Sequence, residues 1–140
     1  MSTSGHGEVL VADGDPAIRS LLAVLVKRMA RRAVPANDCG TVLDLIASHD
    51  FDGAVIDLRL PCGHGSDVLA HIAERAPELL PRVVVITTAR WRPTGALAPI
   101  AAVLQKPFAL DDLTSALQGC CRRPQRQAST SPLDGRERDA

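Results

Sequence analysis

The sequence predicts an α/β fold in which helices cover both faces of a parallel β-sheet. First, short apolar runs recur along the chain, at Glu8–Ala12, Ala54–Asp57 and Arg82–Thr87. Such near-continuous runs are typical of strands that are buried on both faces. Second, segments whose apolar residues follow helical spacing separate these runs. A regular alternation of strand and helix implies right-handed crossovers, and therefore a doubly wound, three-layer sheet.

The first unit of this pattern joins the strand Glu8–Ala12 to a helix that begins at Pro16. Proline suits the first turn of a helix, and Asp15 before it is a suitable N-cap. Basic residues close the last turns of the helix, where the helix dipole favours cations. The apolar positions at helical spacing are Ile18, Leu21, Leu22, Leu25, Val26 and Met29.

The remaining elements continue the alternation. Pro35 interrupts the second predicted strand, Arg32–Asn37, which we therefore expect at an edge of the sheet. Residues 89–99 contain two prolines and a glycine, so we expect a single helical turn or an irregular loop there instead of a fourth crossover helix. The other predicted elements are the helices Thr41–His49, Ser66–Ala76 and Leu110–Cys121 and the fifth strand Ala101–Gln105.

Length and composition predict one domain and exclude several classes of partner. Of the 140 residues, we assign 8–121 to the domain, 1–7 to a disordered leader and 122–140 to a disordered tail. The domain carries 11 basic and 13 acidic residues, which argues against a nucleic-acid-binding surface. Without a membrane-length apolar run or a signal-peptide pattern, we expect a cytoplasmic protein that does not contact membranes.

The four cysteines do not follow the spacing of a zinc module or of a thioredoxin-type site. Cys39 and Cys62 are isolated in the sequence, whereas Cys120 and Cys121 are adjacent. We interpret all four as buried or idle thiols. His64, close to Cys62, is interpreted as an ordinary loop residue, because a Cys-x-His pair alone does not make a metal site.

Reactive side chains follow four of the predicted strands. Because the carboxyl ends of parallel strands lie at one edge of a sheet, we expect these side chains to converge. Carboxylate oxygens suit Mg²⁺, while a lysine and a hydroxyl can stabilise phosphoryl oxygens. The pattern therefore predicts phosphoryl transfer to an aspartate, which would act as the nucleophile. The residues are Asp13 and Asp15 after the first strand, Asp57 after the third, Thr87 and Thr88 after the fourth, and Lys106 after the fifth.

With these residues in place, the chain resembles a response-regulator receiver domain of two-component signalling. The resemblance covers residues 8–121, and its matching segments are VLVADGDPAIRSLL, FDGAVIDLRLPCGHGSDVLAHI, VVVITTAR and LQKPFALDDLTSAL. It implies a flavodoxin-like (CheY-like) sheet of five strands in the order 2-1-3-4-5. It also implies a cis Lys106–Pro107 bond and a histidine kinase or phosphotransfer protein as the phosphoryl donor.

The resemblance further implies a role for each site residue. Asp57 becomes the phosphoacceptor, Thr88 the switch hydroxyl and Lys106 the phosphate-binding lysine. Mg²⁺ would be held by Asp13, by Asp57 and by the backbone carbonyl of Arg59. We therefore expect a signalling domain and not an enzyme. No output domain follows Cys121, so we expect either that its output is contact with a downstream protein or that the chain is a fragment.

Three positions depart from the family pattern. Gly14 stands where the family has its directly metal-ligating acid, so Asp15 or a water molecule is the candidate to fill that place and Mg²⁺ binding is expected to be weakened. Val103 stands where the family carries an aromatic switch residue. The shortened fourth crossover alters the usual output surface, and Trp91 in it is either a partner anchor or a cover for the core.

Two other functions remain open from the sequence. Gly14, Val103 and the shortened fourth unit favour a pseudo-receiver, an interaction module that keeps the fold without phosphorylation. Asp13 and Asp15, with a later threonine, lysine and acidic pair, resemble in miniature the haloacid-dehalogenase phosphohydrolases, with Asp13 as nucleophile. Against that enzyme, the chain has no room for a cap domain and Asp57 would have no role.

Overall fold

Five parallel strands form a single sheet in the order β2-β1-β3-β4-β5, which confirms the predicted fold class. The computed structural model describes residues 7–62 and 67–121. The strands are β1 (Glu8–Ala12), β2 (Arg32–Ala36), β3 (Phe51–Asp57), β4 (Val83–Thr87) and β5 (Ala102–Gln105). The helices are α1 (Pro16–Arg28), α2 (Cys39–Ser48), α3 (Val68–Arg75) and α4 (Leu110–Cys120), with 3-10 turns at Pro77–Arg82 and Gly95–Leu97.

The sheet separates two apolar cores, because successive residues of a strand point to opposite faces. In β3, Ala54 and Ile56 belong to the core that α2 and α3 cover, and Val55 belongs to the core under α1 and α4. All seven residues of β3 are buried, which accounts for its near-continuous apolar sequence. The carboxyl end of this central strand is therefore held between the two cores.

Local signals in the sequence explain where several elements begin and end. The Asp15 carboxylate accepts a hydrogen bond from the Ala17 backbone N–H at 2.9 Å, which confirms the predicted N-cap of α1. Pro35 lies in β2 at one edge of the sheet, as predicted, opposite Val11 of β1. The Lys106–Pro107 bond is cis, also as predicted.

Other element boundaries differ from the predictions by a few residues. Strand β3 begins at Phe51, three residues before the predicted start, because Phe51 and Gly53 already pair with β1 and residues 51–53 are buried with the rest of the strand. Helix α3 begins at Val68, and the predicted start at Ser66 lies outside the described residues. Residues 1–6 and 122–140, which make up nearly all of the predicted leader and tail, also lie outside them.

The connection between β4 and β5 contains only the 3-10 turn Gly95–Leu97, which confirms the predicted loss of a crossover helix. Strand β5 is consequently covered less well than the inner strands, and its first three residues are only half-buried. Trp91, in this connection, is half-buried and packs against the core under α2 and α3. It therefore covers part of the core, as one of its two sequence interpretations held.

Among the described residues, none of the helices combines the length and the apolar character that crossing a membrane would require.

The N-cap of α3 offers a test of the fold next to the loop that follows β3. Asp67 accepts hydrogen bonds from the backbone N–H groups of Leu69 and Ala70, at 2.9 and 3.4 Å. We expect Asp67→Ala to lower the free energy of unfolding by about 1 kcal/mol, because two helical N–H groups lose their acceptor. Urea denaturation measures the change. The exposed Glu74 of the same helix is the control, and a Glu74→Ala variant equally destabilised would contradict the assignment.

Candidate phosphoryl-transfer site

The site is centred on an ion pair between Asp57 and Lys106 at the carboxyl edge of the sheet. Asp57 ends β3 with only 4% of its surface exposed, and its Oδ2 accepts a hydrogen bond from Lys106 Nζ at 2.9 Å. Its Oδ1 accepts one from the backbone N–H of Arg59 at 2.8 Å. Lys106 is anchored in turn, because its backbone N–H donates to the Thr87 carbonyl at 2.7 Å. The predicted convergence of Asp57 with Lys106 is therefore present in the structure.

Asp13 lies on the other side of the same lysine. Its Oδ1 accepts a hydrogen bond from the Asp15 backbone N–H at 2.8 Å, whereas its Oδ2 is 3.7 Å from Lys106 Nζ. Burial raises the pKa of Asp13 above its ordinary value, and the neighbouring Asp57 carboxylate raises it further. Two buried carboxylates thus share one ammonium group, which leaves an excess of negative charge at the strand ends.

That excess charge fits a hard divalent cation. Asp13 Oδ2 is buried and has no hydrogen-bond partner, an arrangement that costs free energy unless a ligand compensates it. Carboxylate and carbonyl oxygens are the donors that Mg²⁺ prefers. No group of three or more His, Cys, Asp or Glu side chains in residues 7–62 and 67–121 is arranged to hold a metal. A cation here would consequently depend on two carboxylates, with backbone or water oxygens completing its shell.

A proline lies beside the place of the missing third acid. A Cβ atom built on Gly14 would lie 3.2 Å from Cδ of Pro61, in the loop that follows β3. Asp15 is exposed and caps α1 through its Oδ1, so the structure gives this carboxylate a helical role. Because of these two features, fewer carboxylates are available to bind a metal here than in the family pattern.

Two threonines compete for the role of the phosphate-binding hydroxyl. Thr88, the residue singled out from the sequence, is exposed after β4. Thr87 is buried at the end of β4, and its hydroxyl donates to the Ala89 carbonyl and accepts from the Ala89 N–H, both at 3.1 Å. Thr87 shares a groove of about 510 Å³ with Val103 and Trp91. The adjacent pair of threonines hides this difference in burial from the sequence.

The cysteines near the site are not idle thiols, which corrects the interpretation of Cys39 and Cys62. The two residues form a disulfide across 23 positions of sequence, with their Cα atoms 4.8 Å apart. They meet because the start of α2 and the loop after β3 both lie at the carboxyl edge of the sheet. A cross-link that closes a loop of this length typically stabilises a protein by about 3 kcal/mol. Cys120 and Cys121 are free thiols, as expected.

The chain matches the response regulator receiver domain family over residues 9–118. It is 30% identical over 132 residues to the response regulator protein PilR of Pseudomonas aeruginosa, covering 92% of this chain and 29% of PilR. It is also 30% identical over 131 residues to the response regulator MprA of Mycolicibacterium vanbaalenii, covering 91% of this chain and 53% of MprA. The chain therefore spans between about a third and a half of the length of these curated relatives.

Solved structures share the fold at lower identity. The receiver domain of a Pseudomonas aeruginosa sensor histidine kinase, with magnesium coordinated in its active-site cleft, matches with a TM-score of 0.69 at 18% identity, covering 82% of this chain and 97% of that one. TrrA of Thermotoga maritima, bound to Mg²⁺ and BeF, gives 0.69 at 19%, covering 81% and 98%. TrrA in complex with the histidine kinase ThkA gives 0.67 at 19%, covering 81% and 97%.

From the two closely spaced buried carboxylates we predict that this site lowers the free energy of unfolding. We expect Asp13→Asn to raise the free energy of unfolding by about 1 kcal/mol at neutral pH without added metal, a usual gain when a strained functional charge is removed. The Asp13 pKa is raised above 3.8 in the folded protein. The wild type therefore loses stability as the pH rises from 3.8 through that pKa, and the Asn variant lacks this loss.

Urea denaturation at several pH values measures the difference between the two proteins. The control is Asp15→Asn, because asparagine and aspartate are equally good N-caps. A stability difference between wild type and Asp13→Asn that persists unchanged at pH values below 3.8 would contradict the electrostatic explanation.

Proposed function

Because the chain belongs to the response regulator receiver domains, we propose that it receives a phosphoryl group on Asp57 in a two-component signalling system. The donor is a histidine kinase or a phosphotransfer protein, and the output is contact with a downstream protein. The observation that carries the proposal is the placement of Asp57 at the end of the central buried strand, with Lys106 Nζ 2.9 Å from Oδ2. The TrrA complex with a histidine kinase supports the class of donor.

In the proposed reaction, a carboxylate oxygen of Asp57 attacks phosphorus while the bond between phosphorus and the donor breaks. The donor histidine keeps the electron pair of that bond, and Asp57 becomes an acyl phosphate. Lys106 is close enough to Asp57 to donate to a phosphoryl oxygen, and a threonine hydroxyl at the end of β4 donates to another. Asp13, Asp57 and the Arg59 carbonyl would hold Mg²⁺, which when bound neutralises phosphoryl charge.

One specific observation favours the pseudo-receiver as the second candidate. The place of the third acid is taken by Gly14, against which Pro61 packs. The haloacid-dehalogenase alternative has no such support, since it gives no role to Asp57, the buried carboxylate that accepts a hydrogen bond from Lys106. The two remaining candidates differ in one outcome, which is whether Asp57 can be phosphorylated.

The phosphoryl acceptor can be tested with acetyl phosphate and Mg²⁺. We expect intact mass spectrometry to detect one added phosphoryl group in the wild type and none in Asp57→Asn, because the amide cannot form the acyl phosphate. No label at any Mg²⁺ concentration would identify a pseudo-receiver. Hydrolysis of phosphate esters that is lost in Asp13→Asn would instead support the phosphohydrolase.

The same assay distinguishes the two threonines. The proposed donor is the Thr88 hydroxyl, and loss of one such donor slows group transfer by roughly 10²-fold. We expect this loss in Thr88→Ala, with Thr88→Ser retaining the rate, and a much smaller effect in Thr87→Ala. The opposite ranking would transfer the role to the buried Thr87.

The metal side can be tested at Gly14. We expect Gly14→Asp to bind Mg²⁺ more tightly than the wild type, because it supplies the missing carboxylate. Gly14→Ala is the matched control, since its Cβ meets Pro61 in the same way without adding charge. Mg²⁺ titration of all three proteins gives the affinities. Equal, tight affinities in the wild type and in Gly14→Asp would show that the absence of a carboxylate at position 14 does not weaken Mg²⁺ binding.

A further inference from the structure

We propose that Cys39 and Cys62 are a reversible dithiol–disulfide pair through which the thiol redox state of the cell controls residues 58–62, the first part of the connection from β3 to α3, which we call the phosphoacceptor loop. The pair joins the first residue of α2 to the last residue of this loop, which begins directly after Asp57. The control it exerts rests on the proposed phosphorylation of Asp57. The formation of the pair does not.

The loop is fastened to Asp57 at one end and to the cysteine pair at the other. At the first end, Asp57 accepts hydrogen bonds from the backbone N–H groups of Arg59, at 2.8 Å to its carboxylate, and of Leu60, at 3.1 Å to its carbonyl. At the second end, the Cys39 backbone N–H donates to the Pro61 carbonyl at 2.8 Å. The disulfide lies one residue beyond that bond. A change at the cysteines is therefore transmitted along only five residues to the acceptor.

The link also acts on the metal side of the site. Pro61 precedes Cys62 and packs against Gly14, where a Cβ atom would lie 3.2 Å from Cδ of Pro61. The same loop carries the Arg59 carbonyl, which is the proposed backbone ligand of Mg²⁺. In the disulfide form, Pro61 and Arg59 are held relative to Asp13 and Asp57. Breaking the disulfide removes the covalent link between Cys62 and α2 and leaves the hydrogen bond from the Cys39 N–H to the Pro61 carbonyl.

One of the two cysteines is accessible enough to exchange with a small thiol or disulfide. Cys39 is buried, with 3% of its surface exposed, whereas Cys62 is half-buried in the loop. The Cys62 thiolate attacks a low-molecular-weight disulfide, forming a mixed disulfide and releasing one small thiol. The Cys39 sulfur then attacks the Cys62 sulfur and releases the second. The protein dithiol is oxidised by two electrons, and the small disulfide is reduced to two thiols.

The proposed function implies that this bond is not permanent. A receiver that takes phosphoryl groups from a kinase works where ATP is available, and such compartments keep most thiols reduced. Disulfides found there in ordinary proteins are mainly transient, catalytic or redox-sensing. The Cys39–Cys62 bond therefore belongs to one of two interconverting forms.

The cross-linked form is the better binder of Mg²⁺. Binding must order the loop that carries the Arg59 carbonyl, and in the cross-linked form this order already exists, so less conformational entropy is lost. By linkage, a saturating cation that favours the cross-linked form must raise the equilibrium ratio of disulfide to dithiol by the same factor. We expect a factor of about five, at the lower end of typical couplings between sites.

The first test follows the pair itself in glutathione buffers of graded oxidised-to-reduced ratio. Cys120 and Cys121 are changed to Ser in the background protein, so that only the pair reports. After trapping with an alkylating agent, intact mass should show two modified thiols in reducing buffers and none in oxidising buffers, with a reversible transition. Two modified thiols at every ratio, or none at every ratio, would overturn the proposal.

The second test repeats this titration with saturating Mg²⁺, and measures Mg²⁺ affinity by calorimetry for the oxidised and reduced forms. The expected results are a transition shifted toward the disulfide and a dissociation constant about fivefold smaller in the oxidised form. Cys62→Ser should bind like the reduced form at every glutathione ratio. The oxidised and reduced forms are compared in one protein, so this result does not depend on whether Cys62→Ser folds. Equal affinities and an unshifted transition would refute the coupling.

Acetyl phosphate labelling of both forms separates this inference from the proposed function. Absence of a phosphoryl label in both forms would defeat phosphorylation of Asp57, while the glutathione and Mg²⁺ titrations would still decide the cysteine pair. Labelling at the same rate in both forms would defeat redox control while leaving the phosphoacceptor intact.

Discussion

The ammonium group of Lys106 lies between two buried carboxylates, and the geometry of the site depends on this arrangement. Its Nζ is 2.9 Å from Asp57 Oδ2 and 3.7 Å from Asp13 Oδ2. One positive charge offsets only part of the charge of two carboxylates in a poorly solvated place. The cluster persists because backbone groups at the ends of three strands fix its members. A charge imbalance maintained by a rigid sheet is an arrangement ready for ligands that bring positive charge.

The sequence was sufficient to predict the sheet, its edge strand and the meeting of Asp13, Asp57 and Lys106. Each of these follows from a local signal combined with the rule that parallel strands end at one edge. The Cys39–Cys62 pair was missed, because its two residues lie on different elements and no local spacing marks a contact of that kind. The difference between Thr87 and Thr88 was also beyond the sequence, since a shift of one residue reverses the face on which a strand residue lies.

The departures from the family pattern are connected in space. Gly14 removes a side chain, and Pro61 occupies the neighbouring volume. Pro61 is in turn held by the Cys39 N–H and adjoins the disulfide. The glycine, the packing of the loop and the cross-link are therefore contiguous in space. At the other side of the site, Val103 and the connection without a helix line the groove beside Thr87.

The incomplete burial of β5 affects how much of the time the site is assembled. Strand β5 is hydrogen-bonded to β4 alone, its first three residues are half-buried, and no helix crosses between the two strands in the described part of the chain. Segments with few buried contacts open most often in native proteins. Each opening of β5 would carry Lys106 away from both carboxylates. The local stability of one peripheral strand therefore sets how often Lys106 lies beside both carboxylates.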